Sequence, residues 1–353
     1  MPSQSSDESD LLHIGDTALK PGERRTIELP LAQLHTHTQV TMPVHVARGR
    51  KDGPRLFVSA AIHGDEINGV EIIHRLLTLR SLRRLRGTLI AVPIVNVFGF
   101  LQHQRYLPDG RDLNRFFPGL SAGSLTSRLA NLFMEQIVAN ATHGIDLHSG
   151  ANHRCNLPQI RACLDDEPTE KLARTFGAPV MMHANLRDGS LRQAVMEQQM
   201  PMLLYETGEA LRFDEHGIRI GVRGIAAVMR RIGMLPKGKT PKKQHTVVTA
   251  YQSTWVRASQ SGILRSRIPL GRRVEAGQTL GTIADPFGEQ QQTVESTATG
   301  IVIGVSHMPL VNEGDAMFHI ALTDDHPGDS IEHWHLEPDP DLDRRDRQHM
   351  SEL

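Results

Sequence analysis

The sequence predicts an α/β fold, a mostly parallel, mixed sheet with helices on both faces, followed by a small all-β carboxyl-terminal domain. Three observations carry this. An apolar run of strand length, residues 56–62, ends abruptly in His63, Gly64, Asp65 and Glu66, the pattern of a strand buried in a parallel sheet. Strand-like and helix-like segments then alternate to about Leu235, and such alternation builds a sheet covered on both sides. Beyond a basic, proline-containing stretch at 236–243, glycine-punctuated β segments take over.

Taken in order, residues 1–20 read as a disordered lead-in, polar and acidic at its start. Residues 25–48 hold short β-prone stretches, such as 39–46, that suggest outer strands. Lys51, Asp52, Gly53 and Pro54 have turn chemistry before the strand at 56–62. Asn68 with Glu71 three residues on has a helix-start pattern, and Val70, Ile73, Leu76 and Leu77 supply an apolar face. A strand at 88–95 ends at Asn96, and the loop at 105–119 is too rich in large apolar residues to be disordered. Leu129, Leu132, Phe133 and Ile137 mark a helix, and a short strand at 144–150 carries His148. Another apolar stretch ends in Tyr205, Glu206, Thr207 and Gly208, and Ile218, Val222, Ile225, Met229 and Ile232 form a helical stripe.

The β region repeats itself. Residues 261–264 resemble 299–302 at an offset of 38 (299 − 261), and 274–278 resemble 311–315 at an offset of 37 (311 − 274). This repeat resembles the biotinyl/lipoyl barrel-sandwich module. A carrier function is excluded, because a carrier needs a lysine to bear its group and the last lysine is Lys243. The expected domains are an α/β domain at 21–235, a linker at 236–245, a β domain at 246–323 and an acidic flexible tail at 324–353.

Composition narrows the function. The chain has 353 residues, 39% of them hydrophobic, enough for a sizeable core. Its 39 basic and 40 acidic residues give a net charge of −1, with no pull toward nucleic acid or a membrane surface. Cys155 and Cys163 are too few for a disulfide framework and read as inert thiols. No secretory leader and no apolar stretch of membrane-spanning length is visible, so a cytoplasmic protein is expected.

The residues that carry chemistry lie where strands end. Ligands of open α/β sheets gather beyond the carboxyl ends of strands. There, His63 and Glu66 offer an imidazole and a carboxylate three residues apart. That pair alone is a weak signal. His148, 82 residues beyond Glu66 (148 − 66) at the end of a second apolar segment, supplies the third ligand a catalytic zinc requires. Asp146 and Ser149 flank it as partners behind the ligand. Glu206 ends a third apolar stretch and is read as the base that takes a proton from water and returns it to the leaving amine. Glu209 competes for that role but falls past Gly208. Arg111, Asn114 and Arg115 supply a substrate clamp, Asn114 and Arg115 holding a carboxylate, and Arg105 polarises the scissile carbonyl.

In their order, HGDE at 63–66, RY at 105–106, DLNR at 112–115, DLHS at 146–149 and YETG at 205–208 resemble the succinylglutamate desuccinylase/aspartoacylase family of the zinc carboxypeptidase clan. The resemblance covers about residues 40–235. It implies that His63, Glu66 and His148 bind one zinc ion, that Glu206 is the general acid/base, and that Arg105, Asn114 and Arg115 face the substrate. Arg192, the nearest arginine before Glu206, is out of register with the arginine some members use to read a second carboxylate. That argues against an N-acylaspartate or succinylglutamate substrate.

Two motifs are set aside. The stretch 233–240 fits a phosphate-loop expression but follows a helix and opens none. His103, His143, His153 and His183 are not needed as ligands, since three suffice and a catalytic zinc keeps a position open. The expected function is a zinc-dependent hydrolase of the amide bond of a small N-acyl amino acid. A metallocarboxypeptidase of short peptides and a non-catalytic binding protein are the rivals, and homo-oligomer formation stays open.

Overall fold

A computed structural model of the chain describes residues 11–237, 247–323 and 331. Most of the expected linker, the lysine and threonine of the phosphate-loop-like stretch, and the expected acidic tail apart from Ile331 lie outside these residues.

The expected lead-in is corrected in its second half. Strands β1 (Leu12–Ile14) and β2 (Thr17–Leu19) form an antiparallel hairpin. Ile14 and Leu19 are fully buried there, so this segment belongs to the core. Strands β3 (Arg24–Gln33) and β4 (Gln39–Arg48) follow as the expected outer pair. They bury Ile27, Leu29 and Leu31, then Val40, Met42, Val44 and Val46, the period of two that marks a strand with one covered face.

Strand β5 (Lys51–Ala60) absorbs the turn expected at 51–54. The register slips between Lys51 and Arg55, and Gly53 lies against the backbone of Gly87, which lets the Gly-Pro pair remain in a strand. Then come α1 (Asn68–Leu77), β6 (Arg86–Val92), α2 (Val97–Leu101), α3 (Leu125–Gln136) and β7 (His143–Gly150). Next are β8 (Arg154–Ala162), α4 (Glu167–Phe176), β9 (Val180–His183), α5 (Leu191–Met196), β10 (Met202–Glu209) and α6 (Glu215–Arg231).

The centre of the sheet is β6-β5-β7-β10, all parallel, with antiparallel β4 and β3 beyond β6 and antiparallel β8 beyond β10. Strand β5 shows how helices cover both faces. Leu56, Val58 and Ala60 enter one core with α1, α4 and α6, while Phe57 enters the other with α3 and α5. Both faces are apolar because water reaches neither.

The carboxyl-terminal part supplies β11 (Val248–Ala250), β12 (Gln252–Arg257), β13 (Gly262–Ser266), β14 (Arg273–Val274), β15 (Thr279–Ala284), β16 (Gln291–Glu295), β17 (Gly300–Ser306), β18 (Leu310–Val311) and β19 (Ala316–Leu322). The two repeat copies exchange partners: β13 pairs with β18 and β17 pairs with β14. These strands have their own core around Val274, Leu280, Met317 and Phe318. They are nonetheless continuous with the main sheet, because β17 pairs with β8 and β11 with β9. Among the described residues no helix is long and apolar enough to cross a membrane.

Candidate active site

The backbone that delivers His63 and Glu66 is tightly held. Strand β5 ends at Ala60, and Ala61 takes a left-handed φ of 51°. The amides of Val95 and Asn96 donate to the carbonyls of Ala60 and Ala61 and fix this corner. A Cβ at Gly64 would collide with the backbone of Gly99 and Phe100 in the α2 region, so only glycine permits this close approach. Asn68 does not cap α1 as expected. Its Nδ2 donates to Ser149 Oγ and to the carbonyls of Glu209 and Arg212, and its Oδ1 accepts from the Asp214 amide. It staples the loop after β10 to the ends of β5 and β7.

The structure brings His63, Glu66 and His148 together, buried, with their ligand atoms within 4.8 Å of one another. His63 Nδ1 lies 2.7 Å from Glu66 Oε1, and His148 Nδ1 lies 2.8 Å from Glu66 Oε2. Each remote ring nitrogen meets a carboxylate: His63 Nε2 and Asp112 Oδ1 at 3.0 Å, His148 Nε2 and Asp146 Oδ2 at 2.6 Å. Such carboxylates fix the tautomer, assigned from the network, that leaves Nδ1 with a free lone pair. Ser59 Oγ donates to Asp146 Oδ1, and the Ser149 amide donates to Glu66 Oε2. Two inward imidazole nitrogens, a carboxylate and carboxylates behind both rings are the donor set of a three-ligand zinc site, so the residues fit that ion.

Electrostatics act in the same direction. Burial alone would raise the Glu66 carboxyl, but the His63 and His148 imidazoles hold it well below the usual carboxylate range. Burial would lower His148, yet the Asp146 and Glu66 carboxylates raise it well above an ordinary imidazole. His63 is raised against its burial by Glu66 and Asp112.

Arg105 reaches this group directly. Its Nη1 donates to Glu66 Oε1 at 3.2 Å and its Nη2 to Asp112 Oδ2 at 3.0 Å. Asn114 is buried, its Oδ1 taken by the Leu191 amide. Arg115 Nη1 donates to the Asn114 carbonyl. Burial lowers the Arg115 guanidinium, with Arg187 and Arg105 adding to the effect against the pull of Asp112. Arg111, exposed like Arg115, lies 3.7 Å from Asp109 and stacks over Phe116.

Glu206 is the register partner of His148 across the parallel β7–β10 pair. It is not at the strand's last position as expected. Strand β10 bulges after Glu206 and continues to Glu209. Asn156 Nδ2 donates to Glu206 Oε2 at 2.5 Å, and Arg161 Nε lies 3.8 Å from Oε1. Glu209 is occupied by His307 at 2.9 Å and lies beside a cleft of about 450 Å³ lined also by His153, Cys155 and Arg212. Burial, with Asp214 and Glu209, pushes the Cys155 thiol up to about 12, in keeping with an inert cysteine.

Sequence reasoning missed four residues. Asp112 serves His63, Arg105 and the Asn114 amide at once. Asn156 and Arg161 flank Glu206. Arg192, set aside for its register, is buried with Nη1 unpartnered, and burial and the Arg161 charge push it down to about 10. The DLNR motif held the only local signal, for Asp112; Asn156 and Arg161 reach Glu206 through the pairing of β8 with β10, and Arg192 stands on α5.

Fold and site together define an α/β protein with a buried His-Glu-His group at the carboxyl edge of a parallel sheet, each imidazole backed by a carboxylate. Residues 52–232, just over half of the chain, match the succinylglutamate desuccinylase/aspartoacylase catalytic domain, and the chain belongs to that family. It is 28% identical over 294 residues to the N-alpha-acetyl-L-2,4-diaminobutyric acid deacetylase of Halomonas elongata, covering 80% of this chain and 86% of that protein. It is similar to the product-bound structure of the ectoine utilization protein EutE (DoeB) from Ruegeria pomeroyi, with 24% identity, a TM-score of 0.78, and coverage of 90% of this chain and 100% of that one. A succinylglutamate desuccinylase/aspartoacylase from Rhodobacter sphaeroides gives 25% identity and a TM-score of 0.75 over 86% of this chain and 96% of that one.

Proposed function

We propose that this protein is a zinc-dependent deacylase that hydrolyses the amide bond of a small N-acyl amino acid. The observation that carries this is the His63-Glu66-His148 group, buried and backed by Asp112 and Asp146, with Glu206 in register beside His148. The relative from Halomonas elongata, named for removing an acetyl group from an amino acid, supports the amide as the bond broken.

His63 Nδ1, His148 Nδ1 and a Glu66 oxygen would hold zinc, which supplies Lewis acidity at the amide carbonyl and at the attacking water. Glu206 Oε2 is engaged by Asn156, so Oε1 is the oxygen that takes the water's proton and returns it to the departing nitrogen. Arg105, already at the edge of the group, carries fixed positive charge where the carbonyl oxygen becomes an oxyanion. Asn114 keeps Nδ2 for the substrate carboxylate, and Arg115 pairs with it there. Arg111 has no part in this reading. We read the glycine-rich strands β11–β19 as the barrel-sandwich-like domain accompanying the hydrolase domain.

Glu206→Gln is the test. It should lower turnover of N-acetyl amino acids by about 10³-fold or more while bound zinc stays at the wild-type level, as expected when a base is lost and the metal site is kept. Near-normal turnover would refute the role of Glu206. Preferential cleavage of dipeptides over N-acyl amino acids by the wild type would favour the carboxypeptidase reading.

A further inference from the structure

Trp255, His319, Gly304, Asn156 and Gly208 are successive register partners on β12, β19, β17, β8 and β10. Register partners on neighbouring strands present their side chains to one face. One row therefore runs from the carboxyl-terminal strands to within two residues of Glu206.

The row is rigid. The Trp255 and His319 rings stack with centroids 4.3 Å apart and planes within 6°. Ser253 Oγ fixes the imidazole through Nε2 at 2.8 Å. Arg154 lies over the indole at 5.2 Å. Burial, then the Arg161 and Arg154 guanidiniums, push His319 down to about 3, so the ring is a neutral wall. Gly304 leaves just enough room between the two sides: a Cβ there would lie 3.1 Å from His319 Cβ and 3.2 Å from Asn156 Oδ1. On the far side of the wall, Asn156 Nδ2 donates to Glu206 Oε2, while Arg161 Nε, buried and without a hydrogen bond, lies 3.8 Å from Oε1.

We propose that the carboxyl-terminal strands are part of the active site: Trp255, His319 and Gly304 set Asn156, and Asn156 and Arg161 are positioning residues that aim the Glu206 carboxylate. The proposal rests on the reading of Glu206 as the base. A glutamate side chain rotates about three bonds, and pinning Oε2 leaves Oε1 at one fixed place for proton transfer. A misplacement of about 1 Å in such a group costs on the order of 10²-fold in rate.

The test uses the full chain, an N-acetyl amino acid and measured zinc content. Asn156→Leu, which keeps volume and removes the donor, should lower kcat about 100-fold at unchanged KM and zinc content. Gly304→Ala, far along the chain from Glu206, should lower kcat about 10-fold by pressing on Asn156, again at unchanged KM. Trp255→Ala should lower kcat several-fold, and Trp255→Phe, which keeps the stack, should restore it. A purely structural role predicts loss of melting temperature or zinc with unchanged kcat per bound zinc, and that result would overturn the proposal. An inactive Glu206→Gln beside an unimpaired Asn156→Leu overturns this proposal alone. An active Glu206→Gln overturns it together with the reading beneath it.

Discussion

Replacing Asp146 by asparagine tests the proposed zinc site from behind. The Asp146 carboxylate accepts from Ser59 Oγ at 2.7 Å and from His148 Nε2 at 2.6 Å, and all three side chains are buried. Water cannot take over either contact. An asparagine can present its oxygen to His148 and keep a weaker, uncharged bond. If it presents its amide instead, the proton moves to Nδ1 and removes the lone pair a metal needs. Either way zinc affinity should fall about 10- to 100-fold, or about 1.4–2.8 kcal/mol. The deep burial places the expectation at the upper end. Competition with a fluorescent chelator gives the dissociation constant directly. It should be followed from about pH 6 to about pH 10, because protons on the raised His148 compete with the metal at the lower end. Losing the Asp146 charge also lowers the His148 pKa, so the variant's affinity should vary less with pH while lying below wild type where competition has ended. A dissociation constant within about twofold of wild type at the alkaline end would refute the role of Asp146.

Arg105→Ala should lower kcat by about 10²- to 10³-fold if its charge meets the developing oxyanion, and an unchanged kcat in steady-state assays would sink that assignment. Gly64→Ala should destabilise the fold by about 1–3 kcal/mol or more in urea unfolding and lower zinc occupancy, because the methyl meets backbone that cannot step aside. His319 is neutral when folded, with a pKa of about 3 against 6.5 for an ordinary imidazole, so the unfolded chain binds one more proton between those values. Its stability contribution is full above 6.5 and lost as pH falls toward about 3, at up to about 1.4 kcal/mol per pH unit. His319→Gln should flatten the unfolding free energy over that window, and parallel wild-type and variant curves would contradict the buried neutral ring.

The His-Glu-His group was legible because each member stands where an apolar run stops, and a side chain at a strand end has few places to go but the crevice. The place of Glu206 beside His148 was legible for the same reason, although the bulge that carries β10 on to Glu209 left no mark in the sequence. Arg161 and Asn156 were hidden because they reach Glu206 by antiparallel pairing of β8 with β10. Gly304 beside Asn156 joins residues 148 positions apart (304 − 156), a separation no local pattern encodes. Asn68 misled because its helix-start pattern is real, but three distant groups compete for its amide more strongly than the helix does.

The pairing of β8 with β17 bears on how the chain can be shortened. Truncation near residue 237 would strip the partners of Arg154, Cys155 and Asn156 and those of Val180, Met181 and Met182. Two open strand edges would then face solvent, one bearing the fully buried Val180 and Met181, and unpaired apolar edges recruit other chains. The shortened protein should therefore self-associate and precipitate instead of persisting as a smaller catalyst.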